Sequence, residues 1–232
     1  MIIDRITCQP VSTDCWPYSI PPVARLVQDG LTLDTPITFL VGENGSGKST
    51  IVEAIAEAYG LDARGGRAGR KYVNDRPKTL LGETIKLHGR IVGNKRDRKG
   101  YFLRAETAHG FMSFVSGMYG YWEENVMEMS HGEGFLTVLN TMFRDPGLYI
   151  MDEPEAALSF TSCLKLVEIM KQVAHTGGQI ICATHSPILT ALPGATVWEL
   201  GKHGIRKSSW RELELVDNWR RFLENPNFYM GD

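Results

Sequence analysis

The stretch Ile37-Thr38-Phe39-Leu40-Val41-Gly42-Glu43-Asn44-Gly45-Ser46-Gly47-Lys48-Ser49-Thr50-Ile51-Val52 decides the fold. Its first five residues are short, apolar and rich in β-formers, which predicts a buried strand. Gly42-Glu43-Asn44-Gly45-Ser46-Gly47-Lys48-Ser49 then matches G-x-x-x-x-G-K-[ST] in full. From Thr50 to Tyr59, Ile51, Val52, Ala54, Ile55 and Ala58 recur at helical spacing, and Gly60 supplies the stop. A chance match in a chain of this size is on the order of one in a hundred, and here a strand enters the loop and a helix leaves it. The glycines let the backbone curl until its N–H groups point at phosphate oxygens, at the positive end of the helix dipole. Lys48 would reach the β- and γ-phosphates of a nucleotide, and Ser49 would ligate Mg²⁺.

A second element lies downstream. Leu148-Tyr149-Ile150-Met151 reads as another buried strand and delivers Asp152 and Glu153 to its C-terminal edge, where ligands of α/β sheets bind. Asp152 would hold Mg²⁺ through its water shell, with Glu153 beyond the metal to orient and polarise the attacking water. Gln179-Ile180-Ile181-Cys182-Ala183 predicts a third strand, followed by Thr184-His185-Ser186, which puts His185 at the same edge 33 positions after Asp152. Ser130-His131-Gly132-Glu133 precedes an apolar helix, Phe135 to Phe143, and a serine with backbone amides at a helix start makes an anion site.

The rest of the chain fills in an α/β fold around a mostly parallel sheet. Strands are expected at Ile2-Ile3-Asp4-Arg5-Ile6, near Ile85 to Val92, at Tyr101 to Arg104 and at Val197-Trp198-Glu199-Leu200. A Pro-rich stretch runs through Pro22, mostly helical structure from about Thr107 to Phe143, and an amphipathic helix from Leu158 to Ala174. The chain has 232 residues, 43% of them hydrophobic and 22% charged, which suits one globular domain over residues 1–232, with a small β-rich portion and a helical lobe at about 105–145. No apolar run approaches the roughly 20 residues that span a bilayer. The N-terminus carries Asp4, Arg5, Gln9 and Asp14 where a signal peptide needs an apolar stretch.

Cys8, Cys15, Cys163 and Cys182 form no C-x-x-C pair and no Cys/His cluster of zinc spacing, so reduced thiols, no zinc and a cytoplasmic location are expected. Between Ala63 and Lys99 twelve basic residues meet only three acids, a net +9 that leaves −11 for the remainder of a chain whose overall charge is −2. Such a segment suits a polyanion, nucleic acid ahead of an acidic protein. Its densest cluster is Lys95, Arg96, Arg98 and Lys99. Trp16, Tyr18 and Phe39 are candidates for stacking on a nucleotide base. Met112, Met118, Met127 and Met129 could make an adaptable surface, although core filling is the plainer reading.

In this order, from Thr38 to Leu200, the constellation resembles the ABC-type P-loop ATPases. Gly42 to Ser49, with Thr50 beside it, matches that family's Walker A. Met151-Asp152-Glu153-Pro154 matches its Walker B with the catalytic glutamate, Glu155-Ala156-Ala157-Leu158-Ser159 looks like the D-loop segment, and His185 matches the switch histidine. The resemblance implies ATP and Mg²⁺ as ligands. It also implies an ATP-dependent homodimer, in which Ser130, Gly132 and Glu133 of one subunit's signature complete the other's site. The signature departs from L-S-G-G-Q: here it is Met129-Ser130-His131-Gly132-Glu133, similar to the S-G-G-E form of the RecF- and SMC-like branch, which acts on DNA. No glutamine lies between Gln28 and Gln172, so the Q-loop residue has no direct match, and Glu106 is the nearest substitute. The chain most resembles small stand-alone bacterial ATPases in which RAE, SHGE, DEPEAALS and ATHSPIL occur together. A soluble ATP hydrolase in DNA maintenance or defence is the expectation. The alternatives are the ATP-hydrolysing subunit of a membrane transporter and a non-enzymatic, nucleotide-gated clamp.

Overall fold

The computed structural model describes residues 1–9, 11–62, 65–67, 77–90, 98–104, 131–143 and 145–230. Five strands run parallel at its centre: β9 (Thr196–Gly201), β3 (Ile37–Val41), β8 (Gln179–Thr184), β7 (Leu148–Asp152) and β6 (Gly100–Arg104), adjacent in that order. β10 (Gly204–Lys207) closes one edge and β4 (Gly66–Arg67) the other, both antiparallel. The central strands are buried on both faces and therefore read as mostly apolar runs.

Alternation along β3 divides the core. Ile37, Phe39 and Val41 face the helices α4 (His131–Met142), α5 (Phe160–His175) and α6 (Glu214–Glu224), packing with Leu139, Leu166, Met170 and Val216. Leu40 faces the other way, toward α1 (Pro21–Asp29) and α2 (Lys48–Tyr59), with Val23, Leu26, Ile51 and Ile55. Beyond α1 and α2 lies an antiparallel sheet of β2 (Leu31–Thr32), β1 (Arg5–Cys8) and β5 (Ile85–His88), with the short helix α3 (Leu80–Thr84) leading into β5.

Several expectations shift. The first strand begins at Arg5 rather than Ile2, because the buried amide of Gln179 takes the backbone there. Its Oε1 accepts from the N–H groups of Ile2 and Ile3 at 2.9 and 2.7 Å, and its Nε2 donates to Ile3 O at 2.6 Å. The Pro-rich stretch gives way to a helix at Pro21, where proline at the first helical position costs no hydrogen bond. The strand expected to Val92 stops at His88. Of the helical lobe expected at 105–145, α4 is described; residues 105–130, with Glu106, the four methionines and Ser130, lie outside the described residues.

Candidate functional site

Parallel register brings the chemistry together. Val41 is level with Thr184, Asp152 with Ala183, and Arg104 with Asp152, so the C-terminal ends of β3, β8, β7 and β6 share one edge. Gly42 to Gly47 leaves β3 there and α2 starts from it at Lys48. Glu43, Asn44 and Gly45 are exposed, Gly47 and Lys48 buried, and Ser49 and Thr50 half-buried.

Two glycines have separate reasons. A Cβ on Gly42 would stand 2.3 Å from the carbonyl oxygen of Leu200 on β9, so only glycine fits between the strands. Gly47 is left-handed at φ 91° and caps α2, a conformation that other residues adopt at a cost of about 1–2 kcal/mol. The loop thus ends at the N-terminus of a 12-residue helix, a ready anion site. Lys48 is 3% exposed, and its Nζ donates to Gly42 O at 2.7 Å and Glu43 O at 3.1 Å, with Glu153 Oε1 3.8 Å away. A buried ammonium whose hydrogen bonds go to two neutral carbonyls, with its nearest paired carboxylate 3.8 Å away, is suited to an anion. Inside the curl, Ser46 Oγ is buried with no partner among the described residues, as a cradle meant for phosphate oxygens would leave it.

Ser49 Oγ donates to Asp152 Oδ1 at 3.1 Å, putting a hydroxyl and a carboxylate side by side as hard oxygen donors of the kind Mg²⁺ takes. Burial pushes the Asp152 carboxyl above its ordinary range, against the pull of the Ser49 hydroxyl and of Arg104 and Lys48; Glu153 adds to the rise. Arg104 in turn pairs with Glu53 of α2 at 2.7 Å.

Glu153 follows in left-handed backbone, φ 51° and ψ 50°, the sole non-glycine residue at positive φ among those described. Strain of this kind, about 1–3 kcal/mol, collects where a side chain must be aimed. His185 stands opposite and half-exposed, its Nδ1 3.6 Å from Glu153 Oε1 and 3.5 Å from Glu155 Oε1. Lys48, Ser49, Asp152, Glu153 and His185 therefore converge. Gly132 and Glu133 fall in the first turn of α4, while Ser130 lies outside the described residues.

Among the stacking candidates, Phe39 is fully buried in the core, and Tyr18 is buried with its hydroxyl donating to Leu80 O at 2.8 Å. Neither can stack on a base. Trp16 is exposed, four residues before Ile20, whose side chain lies 3.1 Å from where a Gly47 Cβ would be. The basic cluster also changes meaning. Arg98 donates to Tyr59 O at 2.7 Å and lies over the Tyr59 ring, ending α2, and Lys99 pairs with Asp145 at 3.3 Å. Lys95 and Arg96 are outside the described residues. Sequence reading missed Arg104, Glu53 and the anchoring of Glu155, because only strand register makes them neighbours.

Two family models match the chain. One, an AAA domain, covers residues 27–115; the second, over 95–191, is an AAA domain whose description also names the AbiEii toxin and a type IV toxin–antitoxin system. Together the two models span residues 27–191, and the chain is similar to the P-loop ATPases of ABC type. Its relatives include the aliphatic sulfonates import ATP-binding protein SsuB 2 of Mesorhizobium japonicum, 29% identical over 173 residues, which are 70% of this chain and 63% of that one. The zinc transport system ATP-binding protein AdcC of Streptococcus pneumoniae is 27% identical over 167 residues, 64% of this chain and 70% of AdcC. The chain thus spans less than two-thirds of the sulfonate relative's length. Among solved structures, the SMC head bound to the C-winged helix domain of ScpA covers 77% of this chain and 92% of that one at 13% identity, with a TM-score of 0.48, too loose a likeness to argue from. Among the described residues no helix is long and apolar enough to cross a membrane.

Proposed function

We propose that residues 1–232 act as one cytoplasmic domain that hydrolyses ATP to ADP and phosphate within an ATP-bound homodimer. The observation that carries this reading is the convergence of Lys48, Ser49, Asp152, Glu153 and His185 at one edge of the sheet. Lys48 turns from the loop carbonyls to the β- and γ-phosphates, and the loop N–H groups and Ser46 close around the same oxygens. Ser49 and, through water, Asp152 would hold Mg²⁺, which would supply charge to offset that of the phosphates. Glu153 orients the water for in-line attack on the γ-phosphate and takes up its proton, while His185 steadies the charge that develops on the oxygens. Ser130, Gly132 and Glu133 of the second subunit complete the site, and the exposed Trp16 is the ring available to the base.

The experiment is phosphate release with and without Mg²⁺ across a range of protein concentration. Specific activity should rise with concentration until the dimer saturates. Glu153→Gln should bind ATP, stall and accumulate a species of twice the monomer mass by light scattering, and adding Ser130→Arg should abolish that species. A concentration-independent monomer at full rate would refute the sandwich; ATP binding without turnover would leave only the nucleotide-gated clamp.

For the process served, the S-x-G-E signature and the +9 segment support DNA maintenance or defence. Exposed Lys78, Lys86 and Arg90, rather than the engaged Arg98 and Lys99, are the described cations available for backbone contacts. Duplex affinity should then fall with a log–log salt slope near −0.9 per phosphate neutralised. The second reading, a subunit docked to a membrane transporter, is favoured by the importer names of the relatives. Pull-down from solubilised membranes tests it.

A further inference from the structure

Glu155 belongs to the one-turn helix Pro154–Ala157 that follows Glu153. Its side chain is only 8% exposed, yet it is a carboxylate, and neither catalysis nor metal binding as described above uses it. A single oxygen, Oε1, accepts from Thr184 Oγ1 at 2.5 Å and from the backbone N–H of His185 at 2.8 Å. Oε2 is buried with no partner among the described residues. Both donors sit at the end of β8, where regular pairing with β3 ends at Thr184. Beyond that point the His185 backbone has left the ladder. Its ring, half in solvent, stands against the Glu153 and Glu155 carboxylates without a hydrogen bond of its own to either.

We propose that Glu155 is the positioning residue of His185, tying the Glu153 turn to the end of β8 so that water-orienting carboxylate and imidazole are set as one unit. Glu153 reaches the same strand from its own backbone, its N–H donating to Ala183 O at 2.9 Å. The two turns are therefore latched twice, once by main chain and once by the Glu155 carboxylate. A carboxylate accepts both donors on one oxygen, and its charge makes each bond stronger than a neutral acceptor would. A residue with a purely packing role at this depth would be apolar, since a buried carboxylate with an idle oxygen is costly. This inference rests on the proposed role of His185 in hydrolysis, but its first test does not need turnover.

That test is amide hydrogen exchange, residue by residue, on the nucleotide-free protein. Glu155→Ala should speed exchange at His185 by at least about tenfold, one hydrogen bond's worth, and leave Ile181 and Ala183 in mid-β8 as in the wild type. Glu155→Gln keeps an oxygen in place and should keep the protection. Glu155→Asp, which retains the charge but falls one methylene short, should behave as Ala does and serves if the Ala variant does not fold. In ATP hydrolysis, Glu155→Ala should lower kcat about 10- to 100-fold with KM little changed, because the phosphate loop is untouched, and Glu155→Gln should recover most of it. Added to His185→Ala, Glu155→Ala should cost less than it does in the wild type, the remainder being its hold on the Glu153 turn. Unchanged exchange at His185, uniform loss of protection along β8, or rate losses that multiply in the double variant would each overturn the assignment. An inactive wild type would count against the hydrolase reading alone, and the exchange result would still decide on Glu155.

Discussion

Gly42→Ala tests how the loop after β3, the proposed phosphate site, is seated. The new Cβ would stand 2.3 Å from Leu200 O and 2.8 Å from Ser46 Oγ, where ordinary contact begins at 3.4 Å. An overlap of about 1 Å against a backbone carbonyl cannot be relieved by a rotamer change. β3 and β9 are paired in register, Val41 with Glu199, so the loop itself must lift. Overpacking of this kind costs about 2–3 kcal/mol, at the upper end of its range. For a chain of this length that lowers Tm by roughly 4–12 °C. A lifted loop misaims its N–H groups, and losing one charge-assisted hydrogen bond of about 1.5–3 kcal/mol weakens ATP binding roughly 10- to 100-fold. Gly45→Ala is the control. Gly45 is left-handed at φ 79° but has nothing within 4 Å, so its substitution should cost the nucleotide-free protein only the backbone strain of about 1–2 kcal/mol. Urea unfolding and titration with a fluorescent ATP analogue read the two effects. If Gly42→Ala is no less stable than Gly45→Ala, or binds ATP as the wild type does, the argument from space is wrong.

Glu199, buried on β9, accepts from Arg206 Nε at 2.7 Å, Ser208 Oγ at 3.3 Å and the Glu214 N–H at 2.8 Å, and so anchors the start of α6. Glu199→Ala should cost about 1–3 kcal/mol in urea unfolding, chiefly from the orphaned N–H, since half-exposed Arg206 returns to water; a change below about 0.5 kcal/mol would show that α6 is held elsewhere. Asp152 is held above its ordinary pKa, so the nucleotide- and Mg²⁺-free fold binds more protons than the unfolded chain between the ordinary carboxyl value and the raised one. Its contribution therefore weakens stability as pH rises through that window. Asp152→Asn should stabilise the apo protein at neutral pH relative to wild type, with the difference closing in acid; a difference that grows in acid would reverse the sign. Burial pushes the Cys8 thiol up to about 11, leaving on the order of one in a thousand as thiolate at pH 8. Exposed Cys15 should alkylate first, ahead of Cys8 and of buried Cys163 and Cys182; early label at Cys182 in a mass-spectrometric time course would mean that β8 opens.

The fold was legible where local chemistry is strong. Ile37–Val41, Leu148–Asp152 and Gln179–Thr184 announce themselves because strands buried on both faces are apolar over most of their length. The loop after β3 is legible because the phosphate cradle proposed there would need glycines and a lysine at set spacing. Less legible were elements that depend on distant partners. β1 starts late because Gln179, 176 residues away, claims Ile3, and α6 is fixed at its start by Glu199.

The sequence by itself determined the inventory of the site: a curled loop ending in Lys48 and Ser49, a carboxylate pair at a strand end, and a histidine after a third strand. These are local facts, since residue type and spacing follow from what a phosphate or a strand terminus requires. Tertiary structure decided which of those groups meet. Parallel register put Arg104 beside Asp152, and it brought the end of β8 onto the Glu155 carboxylate. It also turned Phe39 and Tyr18 into core and Arg98 into a cap for α2. Side chains far apart along the chain gain neighbours only when strands align, and an alignment is settled by the burial of whole faces, which no single motif encodes.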